Sequence, residues 1–354
     1  MRSSKRLFLD VHAIQTVPPS CINRDDSGSP KVAQYGGVTR ARVSSQSWKK
    51  AIRQYFLEYG GLQNVGIRSL EVVRYIADKI ASIEKDIDTD EAMDLAKQVL
   101  NNAGVTTTAD FKTKALFFIS SKQAEKLAQA ALEGNKNKKE LQEILSSDPA
   151  IDIALFGRMV ADDPKLNCDA SCQVAHAIST HAVQTEFDFF TATDDFSSTD
   201  DAGAGMLGTI EFNSAALYRY ANVAVHEFHR QIGDTDLVMN ALTLFVEAFA
   251  KSMPTGKANT FANQTLPQAM LVCLRGDRPV SLVSAFERPV RPADGYVDES
   301  IRRLRKEYES VKRWVEEPIC ALSVGIDGFP GDQGSISELV ELLKHELTSC
   351  LEGN

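Results

Sequence analysis

The hydrophobic pattern alternates between short β-type runs and long stretches of helical spacing. Residues 7–14 (LFLDVHAI) read as a strand, ended by Pro18-Pro19. A loop rich in Asn, Asp, Gly and Pro follows, from Ser20 to about Val43. Ser44-Ser45 predicts a helix N-cap, the helix runs to about Glu58, and Gly60-Gly61 stops it. Residues 69–83, 89–102, 109–133 and 137–146 repeat apolar residues every three or four positions and predict helices. Residues 151–159 (IDIALFGRM) return to a strand-like texture. Residues 173–193 and 207–224 are β-capable segments on either side of DDFSSTDDAGAG, which predicts a long protruding hairpin. A helix is expected from Asp234 to Met253, strands at 269–275 and 280–286, and helices at 298–316 and 334–350. No repeat of about 20–50 residues is visible. This order suits an α+β fold with two insertions.

Composition narrows the class. The chain is 43% hydrophobic and 25% charged, as in an ordinary globular protein. No apolar run of about 18 residues predicts a membrane span. The start, MRSSKRLFLDVHAI, lacks the apolar core and cleavage site of a signal peptide, so a cytoplasmic protein is expected. Six cysteines without a CxxC pair predict free thiols. There is no GxSxG, P-loop or GxGxxG motif to suggest catalysis or a cofactor.

The charge is unevenly placed. The total is −9, yet residues 1–60 carry ten Lys/Arg against four Asp/Glu, a net of +6. Between Ser27 and Leu57 there are six basic residues and no acidic one. A basic surface on an acidic body suggests one face for a polyanion.

The segment RVSSQSWKKAIRQYF, residues 42–56, concentrates that charge. At 100° per residue, Gln46, Lys49, Lys50 and Arg53 fall within about 100° of arc. Trp48, Ala51, Ile52, Tyr55 and Phe56 take the opposite side. The helix start adds unpaired N–H groups and the positive end of a dipole, which attract phosphate. Ser44, Ser45 and Ser47 add hydroxyls, and Lys31, Arg40 and Arg42 lie just upstream. Such contacts would position a phosphodiester chain without reading its sequence. A solvated amphipathic helix is the competing interpretation.

The run CINRDDSGSPKVAQYGGVTRARVSSQSWKKAIR (21–53) closely resembles the N-terminal signature of the CasC backbone subunits of the type I-E CRISPR Cascade, the Cas-seven family. The resemblance continues at 151–159, at AHAISTHAVQTEFDFFTATDD (175–195), at LGTIEFNSAALYRYANV (207–223) and at SAFERPV (284–290). It implies a modified RRM-like (ferredoxin-like) palm with an inserted helical fingers domain and a β-hairpin thumb. The palm would take residues 1–59, 151–180 and 224–354, the fingers 60–150 and the thumb 181–223. It implies a non-catalytic subunit without cofactor or metal. Its copies would polymerise along the crRNA spacer and present the bases to target DNA, with pairing reading the sequence. The large, small, guide-processing and capping subunits would be its partners, and a separate helicase–nuclease would cut.

By position, the resemblance puts phosphate gripping on Lys31, Ser44, Gln46, Ser47, Lys49, Lys50 and Arg53, with Arg24 and Arg42 as additions. Base wedging falls on Met159, Phe190, Thr191 and Leu207, where apolar groups offer a platform that any base can use. Core packing is the plainer role for Met159 and Phe190. The acidic tip with Asp194, Asp195, Asp200 and Asp201 fits no nucleic-acid surface.

Two alternatives stay open at this point. Asp25 and Asp26 could hold a divalent cation for RNA cleavage, as in type III-like backbone ribonucleases, or they could simply order their loop. Cys168, Cys172, His176 and His181 are spaced as metal ligands, though four ligands from one helix cannot surround zinc tetrahedrally.

Overall fold

The computed structural model describes residues 6–60, 65–160, 163–192, 206–291, 294–329 and 331–352. The chain runs through β1 (Phe8–Ser20), β2 (Val32–Tyr35) and β3 (Val38–Val43) into α1 (Ser45–Tyr59). Next come β4 (Ile67–Ser69), α2 (Val72–Ile83), α3 (Thr89–Ala103), β5 (Phe117–Ile119), α4 (Ser121–Leu132), α5 (Lys138–Ser146) and α6 (Ile151–Phe156). Then follow β6 (Cys172–Val174), β7 (Ala177–Ser179), β8 (Glu186–Ala192), β9 (Met206–Ala224), α7 (Val225–Ile232), α8 (Thr235–Lys251) and α9 (Ala258–Phe261). The last described elements are β10 (Pro267–Arg275), α10 (Val297–Val311), β11 (Cys320–Val324), β12 (Asp332–Gln333) and α11 (Ile336–Glu352). The fold is mixed α+β with a large mixed sheet.

Two compact units emerge. The first holds Phe56–Gln173 and Val223–Leu244. Its helices α2 to α5 share one apolar core that includes Ile76, Ile80, Leu100, Leu127, Leu141 and Leu145. The capping box that starts α4 fixes one corner: Ser120 and Gln123 each bond the other's backbone N–H. Buried Arg158 ties the unit together by donating to the carbonyls of Phe118, Leu145 and Leu166. Among the described residues no carboxylate pairs with it, and burial lowers its pKa to about 10.

The second unit holds Lys5–Tyr55, Val174–Asn222 and Phe245–Asn354. Its sheet has the order β12-β11-β10-β1-β9-β7-β3-β2, and β6 and β8 also pair with β9. Strand β1 is central, so Phe8 to Gln15 are all buried. This explains its near-continuous apolar run. Its few polar residues are satisfied. Asp10 accepts from the Tyr220 hydroxyl (2.9 Å) and the Val280 N–H (2.9 Å), and it faces Arg275 at 3.3 Å. Burial nevertheless raises its pKa to about 6. The Tyr218 hydroxyl accepts from the Leu282 N–H and lies 3.0 Å from His12 Nδ1. Burial lowers the His12 pKa to about 3, so the imidazole is neutral. This network welds three strands and the 280–282 loop into one body.

Five local expectations are corrected. Residues 151–156 form helix α6 rather than a strand. Five consecutive residues, Ile151 to Leu155, are buried, so no period shows, and Gly157 at φ +79° ends the turn. The expected strand at 280–286 contains a 3-10 turn, Val283–Phe286. Of the expected helix at 109–133 only α4 is helical; residues 109–116 are turn and loop, and β5 follows them. The expected loop at 20–43 contains the β2–β3 hairpin, whose Gly36 and Gly37 both have positive φ (60° and 75°). That is the backbone a tight two-residue hairpin turn requires. Strand β1 also continues through Pro18 and Pro19, which sit at its less buried end, where a missing ladder donor is tolerated.

Candidate nucleic-acid interface

The site is built on α1. Trp48, Ile52 and Phe56 are buried, while Gln46 and Lys50 are exposed and Lys49 and Arg53 half-buried. The wheel read from sequence is therefore the wheel observed. Trp48 packs into a core with Val17, Ile22, Ala41, Val43 and Leu217. Beneath it lies Arg219, fully buried, its guanidinium 3.6 Å from the Trp48 ring centre and 4.3 Å from that of Phe249. Arg219 also donates to Gln15 and to the Phe249 carbonyl. Burial lowers its pKa to about 9. A buried cation held between two rings thus fixes the apolar side of α1 and aims the other side outward.

The loop ahead of α1 is equally ordered. Asn23 accepts the Ser44 N–H at 2.8 Å, and its carbonyl accepts the Lys31 N–H at 2.9 Å. Ser44 is buried, and its hydroxyl accepts the Ser47 N–H at 3.3 Å, so it acts as the N-cap. Arg42 donates to the Val32 carbonyl and, from Nη1, to His176 Nδ1 at 3.2 Å. Burial, then Arg42 and Lys31, hold the His176 pKa below its usual value. Lys31, Arg42 and the α1 cations thus occupy the unit that carries the capped helix start. Among the described residues, no carboxylate is ion-paired with Lys31 or Lys50. Arg24 is exposed and bridges to Pro30. His176 gave no sequence signal beyond its place in the zinc alternative.

Arg40 departs from the expected basic surface. It is fully buried, and its guanidinium donates to the carbonyls of Tyr35, Ser179, Phe286 and Glu287. Its charge serves the fold, and the outward-facing set is smaller than the count suggested.

The hairpin β8–β9 carries the second group. It pairs Thr191 with Leu207 and Phe190 with Gly208. Neighbouring residues on a strand face opposite sides, so Phe190 and Thr191 lie on different faces. The half-buried Phe190 ring covers Gly208, where an added Cβ would come within 2.3 Å of it. Thr191 shares its face with Phe187 and Phe189, which are 67% and 65% exposed. These two aromatics escaped the sequence reading because alternating FDFF looks like half-buried strand. The acidic tip residues Asp194, Asp195, Asp200 and Asp201 lie outside the described residues.

Met159 belongs to the first unit and is 84% exposed, between buried Arg158 (5%) and Val160 (8%). Core packing is thereby ruled out for it. Leaving a Met in water forfeits about 1.5–3 kcal/mol of burial, and Arg158 and Cys168 hold its backbone through paired hydrogen bonds (3.0 and 2.8 Å).

The two alternatives lose ground on geometry. Asp25 Oδ1 accepts from the Ser27 N–H, the Ser27 hydroxyl (2.7 Å) and the Ser29 N–H. These bonds, the Ser27 hydroxyl first, hold its pKa below the usual carboxylate value and make it the loop's own acceptor. The proposed zinc ligands do not lie on a helix, since β6 and β7 occupy that stretch. Both ring nitrogens of His181 are engaged, Nδ1 with the Ala182 carbonyl (2.9 Å) and Nε2 with the Ala216 N–H (3.0 Å). All six cysteines are free thiols. Among the described residues, no helix is long and apolar enough to cross a membrane.

A family model described as CT1975-like protein matches residues 9–336. The chain belongs to this family, the CasC backbone subunits of the type I-E CRISPR Cascade. Among solved structures, a subunit of a "CRISPR RNA-guided surveillance complex, pre-nicking" is similar at 31% identity and a TM-score of 0.83. The match covers 96% of this chain and 100% of that one. A second, from a "CRISPR RNA-guided surveillance complex", is similar at 27% identity and a TM-score of 0.73, covering 96% and 99%. No curated protein matches the chain. A CT1975-like chain is thus a backbone subunit of a CRISPR surveillance complex, and its outward cations lie in one of the segments that first suggested the family.

Proposed function

We propose that this CT1975-like subunit coats guide RNA without cutting it. Phosphates follow Lys31, Arg42 and the α1 face with Gln46, Ser47, Lys49, Lys50 and Arg53, while Arg24 approaches from the loop and Ser44 shapes the helix start. Met159 serves as an apolar wedge, as do Thr191 and Leu207 on the hairpin, with Phe190 bracing that hairpin from behind. Such side chains offer an unstacked base a contact surface that does not depend on its identity. In this reading the sheet is an RRM-like palm, residues 60–150 are fingers and 181–223 a thumb. Copies stack along the crRNA in the cytoplasm, join the large, small, guide-processing and capping subunits, and leave the remaining bases free to pair with target DNA. The observation that carries the proposal is α1 itself: Trp48, Ile52 and Phe56 are buried, while on the opposite side Gln46 and Lys50 are exposed and Lys49 and Arg53 half-exposed.

The test is to purify the assembled complex and offer it complementary RNA with Mg²⁺. We expect co-purified RNA of one guide length and an intact RNA target. Absence of guide would overturn the binding assignment. Cleavage that disappears in Asp25→Asn or Asp26→Asn would overturn the non-catalytic one.

A further inference from the structure

The SAFERPV block (284–290) helped mark the family, yet the site above gives it no role. It opens onto a cavity of about 550 Å³ lined by Arg288, Pro289, Arg291, Glu299 and Arg303. Glu299 is already neutralised. Arg302 donates to both of its oxygens at 2.7 Å, and Arg303 Nε to one at 2.7 Å. Those bonds hold its pKa down to about 2. Arg288 and Arg291 are exposed, and among the described residues neither has an ion-pair partner. The cavity therefore presents a surplus of positive charge.

The frame around it is rigid. The Val290 N–H donates to the Thr180 carbonyl at 2.9 Å, and the Ser300 hydroxyl to Thr180 Oγ1 at 2.9 Å. Tyr296 stacks on His181 with ring centres 3.6 Å apart. Arg303 Nη1 donates to the Arg288 carbonyl at 2.6 Å. Arginines on a fixed frame, with donors in a planar fork, suit phosphate oxygens.

The β2–β3 hairpin connects this cavity to the interface. Lys31 precedes one end of the hairpin, and Arg42 lies near that same end. At the other end, Tyr35 donates to the Val283 carbonyl, and from mid-hairpin, opposite Ala33, Arg40 bonds the carbonyls of Phe286 and Glu287. The four residue steps from Lys31 to Tyr35 span about 13 Å, the reach of about two nucleotides. We propose that Arg288 and Arg291 form a second nucleic-acid phosphate site, continuous along this hairpin with the α1 cations. The inference rests on the proposed function, and the phosphate could belong to the guide or to the target strand paired with it. Continuity with the α1 face favours nucleic acid over an acidic partner segment.

The test compares Arg288→Glu with Arg291→Glu, in the assembled complex, against wild type and against Lys49→Glu with Lys50→Glu. Guide content is read by absorbance and denaturing gel, and complementary single-stranded DNA binding by titration. A loss of roughly tenfold or more in either reading supports the site. Lost guide assigns it to guide phosphate, and retained guide with weakened DNA binding assigns it to the target strand. The neutral pair Arg288→Gln, Arg291→Gln should lose less in the same direction and replaces the reversal if that fails to fold. Unchanged guide and DNA binding in both pairs overturns the inference, as does loss of a partner subunit with nucleic-acid binding intact. If the Lys49/Lys50 variant keeps its guide, the proposed function fails and takes this site with it. If only the arginine pairs are silent, this site alone is wrong.

Discussion

Reversing Lys49 and Lys50 to Glu is expected to strip guide RNA from a folded protein. The two substitutions change four units of charge on the outward face of α1. At about 4 Å in a water-like dielectric each unit is worth about 1 kcal/mol. The sum corresponds to a loss of roughly a thousandfold in RNA affinity, since about 1.4 kcal/mol is tenfold. Stability should change by much less than RNA affinity does, because Lys50 is exposed and Lys49 half-buried, and surface charges contribute little to it. Electrophoretic mobility shift with a guide-length RNA, alongside urea unfolding, separates the two effects. A folded variant that binds RNA as wild type does would count against α1 as the contact.

The second large effect is on the scaffold. Trp48→Ala should destabilise the protein by about 3–5 kcal/mol through the cavity it leaves. It also removes one of the two rings that shelter the Arg219 guanidinium, worth about 2 kcal/mol for a desolvated cation. Trp48→Phe should cost much less, because the indole N–H has no hydrogen-bond partner among the described residues and a ring remains over the cation. Urea midpoints of the three proteins check this. Equal losses for Ala and Phe would show that the ring does not hold the cation.

Particular residues show why some of this was legible in the chain and some was not. Helix α1 could be read in full, cap and both faces, because a surface helix writes its environment into a period of 3.6. Strands β8 and β9 were legible as a hairpin because two β-capable segments flank a polar linker. Where a segment is buried on every side, as at Ile151 to Leu155, no period survives, and the helix passed for a strand. The β2–β3 hairpin was hidden because its Gly-Gly turn sits among loop-forming residues. Side-chain roles were less legible than elements. Arg40 and Arg42 are two positions apart on one strand and look equivalent, yet one spends its donors on backbone carbonyls inside the fold and the other reaches His176 at the surface. Only a partner list separates them. Met159 looked like core by composition, and its 84% exposure between two buried neighbours makes it a candidate for contact with something else.

The salt dependence of RNA binding is the most direct measure of whether the α1 face meets phosphates. Each cation that displaces a counterion from a single strand contributes about 0.7 to the slope of log affinity against log salt. Lys49→Ala, Lys50→Ala and Arg53→Ala should each reduce the slope by about that amount, while Lys344→Ala on the exposed side of α11 should leave it unchanged. Slopes identical to wild type in all three α1 variants would contradict the assignment.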